Sequence, residues 1–343
     1  MLHFSTIYLE RAIEHHPRVE RILKTLGASE YRLIDDYSQI WGRAKKPYLL
    51  KREKLNLFLA QKKGQKVRLA PDAYGVEGEP HYYFVHAYNC IYECQYCYLQ
   101  GYFSTPDLVW FINHEDIILE MQTVLNEGLK THKRVWFHAG EFSDSLALSH
   151  LTHDLQCYYD FLLKNPQAFI ELRTKSVNLR ELKKLPPIPN LITSFSLSSD
   201  LHTRIYDLKT PSLKHRLEAL RELSEQGYSV AIHLDPIIYH PEFKKHYHEL
   251  IDQLDSMKII DRLQYISLGV VRFTKEVFYE VTQNYPDSQL LKQPFIKPLD
   301  GKIRYPLYMR KKILSEIYQI LMQKSVDPAK VYYCMENSFH FEA

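Results

Sequence analysis

The sequence predicts an α/β protein built on a partial (β/α)6 barrel of the TIM type, with an N-terminal extension and a C-terminal helix–strand segment. Three observations carry this expectation. From residue 80 onward, short β-branched and aromatic runs alternate with longer stretches of helical apolar spacing, as βαβ units on a parallel sheet do. About six such units can be counted, short of the eight in a complete barrel. The 343 residues hold one barrel plus an extension, and an apolar share of 45% supplies a core.

The elements divide into three stretches. Residues 1–79 form a basic leader. In it Thr6–Leu9 reads as a strand, and Leu9–Leu26 as a helix closed by Gly27 and kinked or split by Pro17. Tyr48–Gln61 reads as a second helix. Residues 80–275 form the barrel. Its expected strands are Tyr82–His86, Arg134–Ala139, Ala168–Arg173, Leu191–Leu197, Ser229–Leu234 and Gln264–Val271. Its helices are Asp116–Lys130, Ser149–Leu163, Leu213–Glu225 and His246–Leu254. Residues 276–343 add the helix Tyr308–Met322 and a last strand before Cys334.

Composition narrows the function classes. No apolar run approaches the roughly 18–20 residues of a membrane span, and the first residues lack a signal-peptide core, so a cytoplasmic protein is expected. Five cysteines do not make a disulfide framework. The net charge is +3, unevenly spread. Arg43, Lys45, Lys46, Lys51, Arg52, Lys54, Lys62, Lys63, Lys66 and Arg68 cluster with Glu53 as the lone acid among them. Lys302, Arg304, Arg310, Lys311 and Lys312 make a second group. Such patches neutralise phosphates or simply form a solvated face.

Chemistry concentrates at Cys90, Cys94 and Cys97, in the spacing C-x3-C-x2-C just after the first barrel strand. In parallel α/β sheets, sites lie at the C-terminal ends of the strands. Three thiolates can each hold one iron of a [4Fe-4S] cubane and leave the fourth iron open to an external ligand. The amino and carboxylate groups of S-adenosylmethionine suit that position. A structural zinc site would need a fourth ligand such as His86.

With Tyr96 before the last cysteine, the motif resembles that of the radical S-adenosylmethionine superfamily. Tyr98, Ser143-Asp144, His150-Leu151-Thr152-His153, Gly227-Tyr228 leading to Asp235-Pro236, and Arg304-Tyr305 resemble its spore photoproduct lyase family. The resemblance implies a partial (β/α)6 barrel and reductive cleavage of S-adenosylmethionine. The radical so formed would act on a thymine dimer in DNA, with a flavodoxin or ferredoxin as reductant. It implies that Glu141, Ser143, Lys175 and Ser196 contact the cofactor, that Arg304 and Tyr305 contact the substrate, and that Tyr98 takes part in hydrogen transfer beside Tyr96. Asp235 and His233 fall at the end of the fifth strand, where such a site is lined.

One position departs from the family pattern. Alignment on Ser143-Asp144 places Glu141 where the family carries a hydrogen-donating cysteine. A carboxylate has no weak X–H bond for a carbon radical. Either Cys334 supplies the hydrogen, or the radical returns to Tyr98 without a cysteine, or the substrate differs. RNA, peptide and small-molecule substrates then stand as alternatives, as does a non-catalytic iron–sulfur protein. Cys157, inside a helix, reads as structural.

Overall fold

The structure, a computed structural model, describes residues 3–43, 48–71, 73–75, 77–298 and 301–336. Lys45 and Lys46 of the basic stretch lie outside the described residues. The larger sheet contains seven parallel strands in chain order: β1 (His81–Phe84), β2 (Val135–Ala139), β3 (Ala168–Thr174), β4 (Leu191–Ser196), β5 (Ser229–Ile237), β6 (Leu263–Val270) and β7 (Val331–Tyr333). Val67–Leu69 joins antiparallel outside β1. β2 and β4 are buried at every position, as strands covered on both faces must be.

Helices cover the outside. Leu213–Glu225 shows why: Leu213, Leu217, Leu220 and Leu223 make one buried stripe, and Ser212 accepts the amide of His215 to start it. Met335 N donates to Ala73 O at 2.8 Å and Tyr332 OH to Tyr74 O at 3.4 Å. These bonds bridge the open side of the half-barrel from the end of β7 to the segment ahead of β1. Among the described residues, no helix is long and apolar enough to cross a membrane.

The leader differs from the expectation. It builds a second sheet in the order Arg32–Ile34, Ile7–Glu10, Leu57–Ala60, Leu108–Phe111, Ala87–Tyr88, whose last two strands come from beyond residue 79. The helix expected over Tyr48–Gln61 stops at Arg52, and Leu57–Ala60 is a strand buried at every position. A short, continuous apolar run carries no period that separates strand from buried helix. Pro17 does not kink a helix but opens one, Pro17–Leu26, where its missing N–H is not needed. The helix expected over Ser149–Leu163 divides into Ser149–Thr152 and Leu155–Lys164, because His153 takes a left-handed φ of 52° between them.

This second sheet positions the cysteine loop. Ala87–Tyr88 is its edge strand and leads directly into Cys90. Arg52, buried at the end of its helix, donates to the carbonyls of Cys90 (3.2 Å), Ile91 (3.0 Å) and Tyr92 (2.8 Å) and pairs with Glu93 at 3.0 Å. One guanidinium thus satisfies three carbonyls that a loop leaves open. On the other side of the loop, Gly101 packs against the helix Lys275–Asn284 so closely that a Cβ would meet the Val277 backbone at 2.5 Å.

Candidate active site

Cys90, Cys94 and Cys97 border one cavity of about 410 Å³. The strand ends supply the rest of its wall: Gly140, Glu141, Ser143 and Asp144 after β2, Arg173 to Lys175 at β3, Ser196 at β4, Asp235 in β5, Arg272 after β6 and Cys334 after β7. Tyr74, Tyr96, Tyr98 and Phe273 add aromatic faces. Every cluster or cofactor residue expected from the sequence is therefore brought to one place.

The cysteine loop is held at several points. Glu93–Cys94 pairs antiparallel with Asp207–Leu208, so Cys94 faces Asp207 across two strands. Gln100 Nε2 donates to Cys94 O at 3.0 Å. Burial pushes the Cys94 thiol up to about 12 and that of Cys90 well above the ordinary value. Cationic iron held by these cysteines would offset that cost by taking the thiolates as ligands. Among the described residues, no three His, Cys, Asp or Glu side chains are set as a single metal ion needs. The three thiols instead share one cavity wall, and this donor set fits a [4Fe-4S] cubane, of which Cys90, Cys94 and Cys97 would each hold one iron.

The turn after β2 is fixed by Asp144. Its Oδ1 accepts from Leu146 N (3.0 Å), Ala147 N (2.9 Å) and Thr174 Oγ1 (2.6 Å), and its Oδ2 from Lys175 N (2.8 Å). Gly140 carries a φ of +86°, and a Cβ there would lie 2.6 Å from Ser145 Oγ, so the turn requires glycine. Ser143 Oγ donates to Asn89 O at 2.8 Å, tying this turn to the cysteine loop.

Lys175 lies with Nζ 5.5 Å from the ring centre of Tyr96. Burial disfavours its charge, but Asp207 and the cluster thiols outweigh burial and raise its pKa, so the ammonium stays charged. Arg216, with no exposed side-chain surface, donates to Asp207 Oδ2 (2.8 Å) and to Ser196 O (3.1 Å). Asp207 and Arg216 thereby connect β4, Lys175 and the cysteine loop.

Glu141 takes a hydrogen bond from the Tyr74 phenol, and Tyr98 borders the same cavity. Cys334 is buried, and burial pushes its thiol up to about 11, so it remains S–H at neutral pH. Its Sγ lies 3.5 Å from Arg272 Nη2. Cys157 lies elsewhere, with Arg18 Nη2 at 3.4 Å from its sulfur.

Arg304 and Tyr305 are not brought to the cavity. Tyr305 is fully buried, accepting from Tyr239 N at 2.9 Å and donating to Gln293 Oε1 at 3.3 Å. Arg304 pairs through the backbone with Arg272 and lies 3.7 Å from Glu336. Their neighbour Lys302 lines the cavity instead. His233 also points away, into the barrel interior, 2.5 Å from Glu171. His86 is buried and does not border the cavity. Sequence reasoning missed Tyr74, Arg52, Arg173, Asp207 and Arg272. Each is a common residue type outside a spaced motif, and only the fold gathers them.

The family description "Spore photoproduct lyase" matches residues 77–331. The spore photoproduct lyase of Bacillus subtilis is 26% identical over 207 residues, and that of a Geobacillus strain is 27% identical over 207 residues. Each alignment spans 60% of this chain and 60% of the relative's own length. Among solved structures, a spore photoproduct lyase complexed with dinucleoside spore photoproduct superposes with a TM-score of 0.81 at 21% identity, over 96% of this chain and 98% of that one. A variant with bound AdoMet and dinucleoside spore photoproduct gives 0.79 at 22% identity, over 97% and 98%. The fold is thus the half-barrel of those enzymes, and the chain belongs to the spore photoproduct lyase family.

Proposed function

We propose that this chain is a radical enzyme that holds a [4Fe-4S] cluster on Cys90, Cys94 and Cys97, binds S-adenosylmethionine beside it, and acts on a pyrimidine lesion in DNA of the spore photoproduct type. The observation that carries the reading is the single cavity bordered by the three cysteines and by Glu141, Ser143, Lys175 and Ser196. When bound and reduced, the cluster and S-adenosylmethionine supply a 5′-deoxyadenosyl radical that takes a hydrogen atom from substrate.

The chain's own residues have separable tasks. The Lys175 ammonium pairs with the methionyl carboxylate, and the hydroxyls of Ser143 and Ser196 take the remaining polar atoms of the cofactor. Glu141 accepts the methionyl ammonium while held by the Tyr74 phenol. Tyr98, which borders the cavity one residue after Cys97, takes part in hydrogen transfer. Cys334 offers the S–H bond that Glu141 lacks, on the same cavity. The basic residues Lys51, Lys54, Lys63 and Lys66 suit a phosphate backbone. A flavodoxin or ferredoxin delivers the electron.

Glu141 also favours a second reading, a radical enzyme on a different substrate class. One experiment separates the two. The anaerobically reconstituted protein is given reductant, S-adenosylmethionine and dinucleotide spore photoproduct, and 5′-deoxyadenosine and thymine products are followed together. Both products support lesion repair. 5′-Deoxyadenosine without repaired thymines, and without binding to lesion DNA, rejects it in favour of another substrate.

A further inference from the structure

Two arginines border the cavity, and they differ in how fully they are used. Arg272 is saturated. It meets Asp235 Oδ1 at 3.2 Å and Oδ2 at 3.1 Å, Val270 O at 3.1 Å, Met335 Sδ at 3.3 Å and Cys334 Sγ at 3.5 Å. Arg173, at the end of β3, is not. Its Nη2 donates to Glu171 Oε2 at 3.2 Å, and its guanidinium lies 5.1 Å from the ring centre of Tyr74. Its Nε is buried without an acceptor, and among the described residues its remaining N–H groups have none. A guanidinium carries five N–H donors, and buried donors left open are costly.

The pairing with Glu171 is itself unusual. Glu171 has no exposed surface and already receives Ser194 Oγ (2.6 Å), Tyr265 OH (2.7 Å) and the imidazoles of His233 and His138. The carboxylate neutralises Arg173 from inside the barrel and leaves its outer edge at the cavity. Asp235 neutralises Arg272 in the same way. Arg173 thus offers N–H donors with its own charge balanced by Glu171, which suits a neutral carbonyl oxygen better than a phosphate. Tyr74 and Tyr98 beside it offer faces for a planar ring.

We propose that Arg173 forms a pyrimidine subsite, donating its free N–H groups to a ring carbonyl oxygen of the nucleobase in the cavity. This rests on the nucleobase reading given above. The test is equilibrium titration of the cluster-loaded protein, with S-adenosylmethionine bound. The ligands are the phosphate-free dinucleoside spore photoproduct and the phosphodiester-linked dinucleotide. Arg173→Met removes the donors, and Arg173→Lys keeps a cation for Glu171 but loses the fork. Both variants are expected to weaken both ligands, Arg173→Met by about 10–100-fold, as loss of a charged hydrogen bond does. Iron content and thermal unfolding of each variant are measured alongside. Weakening confined to the dinucleotide would mean a phosphate contact and overturn the proposal. Unchanged dinucleoside affinity in both variants would also overturn it while leaving the proposed function standing. If the unsubstituted protein binds neither ligand, the functional reading falls and takes this subsite with it.

Discussion

Tyr96 donates its hydroxyl to Asp207, whose backbone pairs across two short strands with Cys94. The residue before the last cluster cysteine is thereby fixed to the same carboxylate that holds Arg216 and faces Lys175. The cysteine loop and Lys175 thus share one anchor.

That anchor has a measurable weight. Asp207→Ala leaves the fully buried Arg216 without its counter-charge and is expected to cost about 3–5 kcal/mol. Tyr96→Phe removes a single hydrogen bond and is expected to cost about 1 kcal/mol. Urea unfolding of the anaerobically purified proteins measures both. Equal losses in the two variants would show that the Arg216 pair is not the anchor.

The Arg52 clamp gives a second prediction. Arg52→Met strips three loop carbonyls of their donor and leaves Glu93 with Lys209 alone. Iron loading on reconstitution is expected to fall several-fold, with Arg52→Lys recovering part of it, because one ammonium cannot span three carbonyls. Iron analysis and the cluster's visible absorbance report the result. Full loading in Arg52→Met would contradict the clamp.

The cysteines should separate into three groups. Alanine at Cys90, Cys94 or Cys97 is expected to abolish cluster binding and 5′-deoxyadenosine formation together. Cys157→Ala is expected to leave both intact, since Cys157 lies away from the cavity beside Arg18. Cys334→Ala is expected to keep the cluster and cofactor cleavage but lose hydrogen return to the product. Product analysis in deuterated solvent reads this as loss of solvent-derived label. Retained label in Cys334→Ala would exclude it as the donor.

Buried histidines set the acid limit of stability. Burial depresses His202 to about 3, and holds His86 and His114 below the ordinary imidazole value. In the unfolded chain these rings take up protons near pH 6.5. Between that pH and the folded values, the unfolded state binds more protons, so stability rises with pH through the window. It is complete above about pH 6.5 and is lost progressively as the pH falls. Urea midpoints at about pH 7.5, 6 and 5 should decline in that order. A flat midpoint across the range would contradict the burial account.

Much of this was legible in the residues. Leu213, Leu217, Leu220 and Leu223 announce their helix by spacing, and Cys90, Cys94 and Cys97 announce their chemistry by theirs. Glu141, Ser143, Lys175 and Ser196, picked out by their places after strands, all border one cavity. What was not legible depends on tertiary pairing. Leu57–Ala60 has no period, so its place in a second sheet follows only from its partners. Arg52 acts through contacts 38 to 40 residues away and Asp207 across two strands, while Arg173 gains its place from the cavity that its strand end borders. The Arg304–Tyr305 pair shows the converse: a matching pair of residues did not ensure a place at the cavity, because Tyr305 is consumed by Tyr239 and Gln293.

The central claim is that the three cysteines hold a cluster that cleaves S-adenosylmethionine in this cavity. The most direct measurement is 5′-deoxyadenosine released by the anaerobically reconstituted, reduced protein, beside Cys94→Ala. The account predicts 5′-deoxyadenosine from the unsubstituted protein and none from Cys94→Ala. Protein that carries its full iron and binds S-adenosylmethionine, yet releases no 5′-deoxyadenosine under reduction, would contradict it.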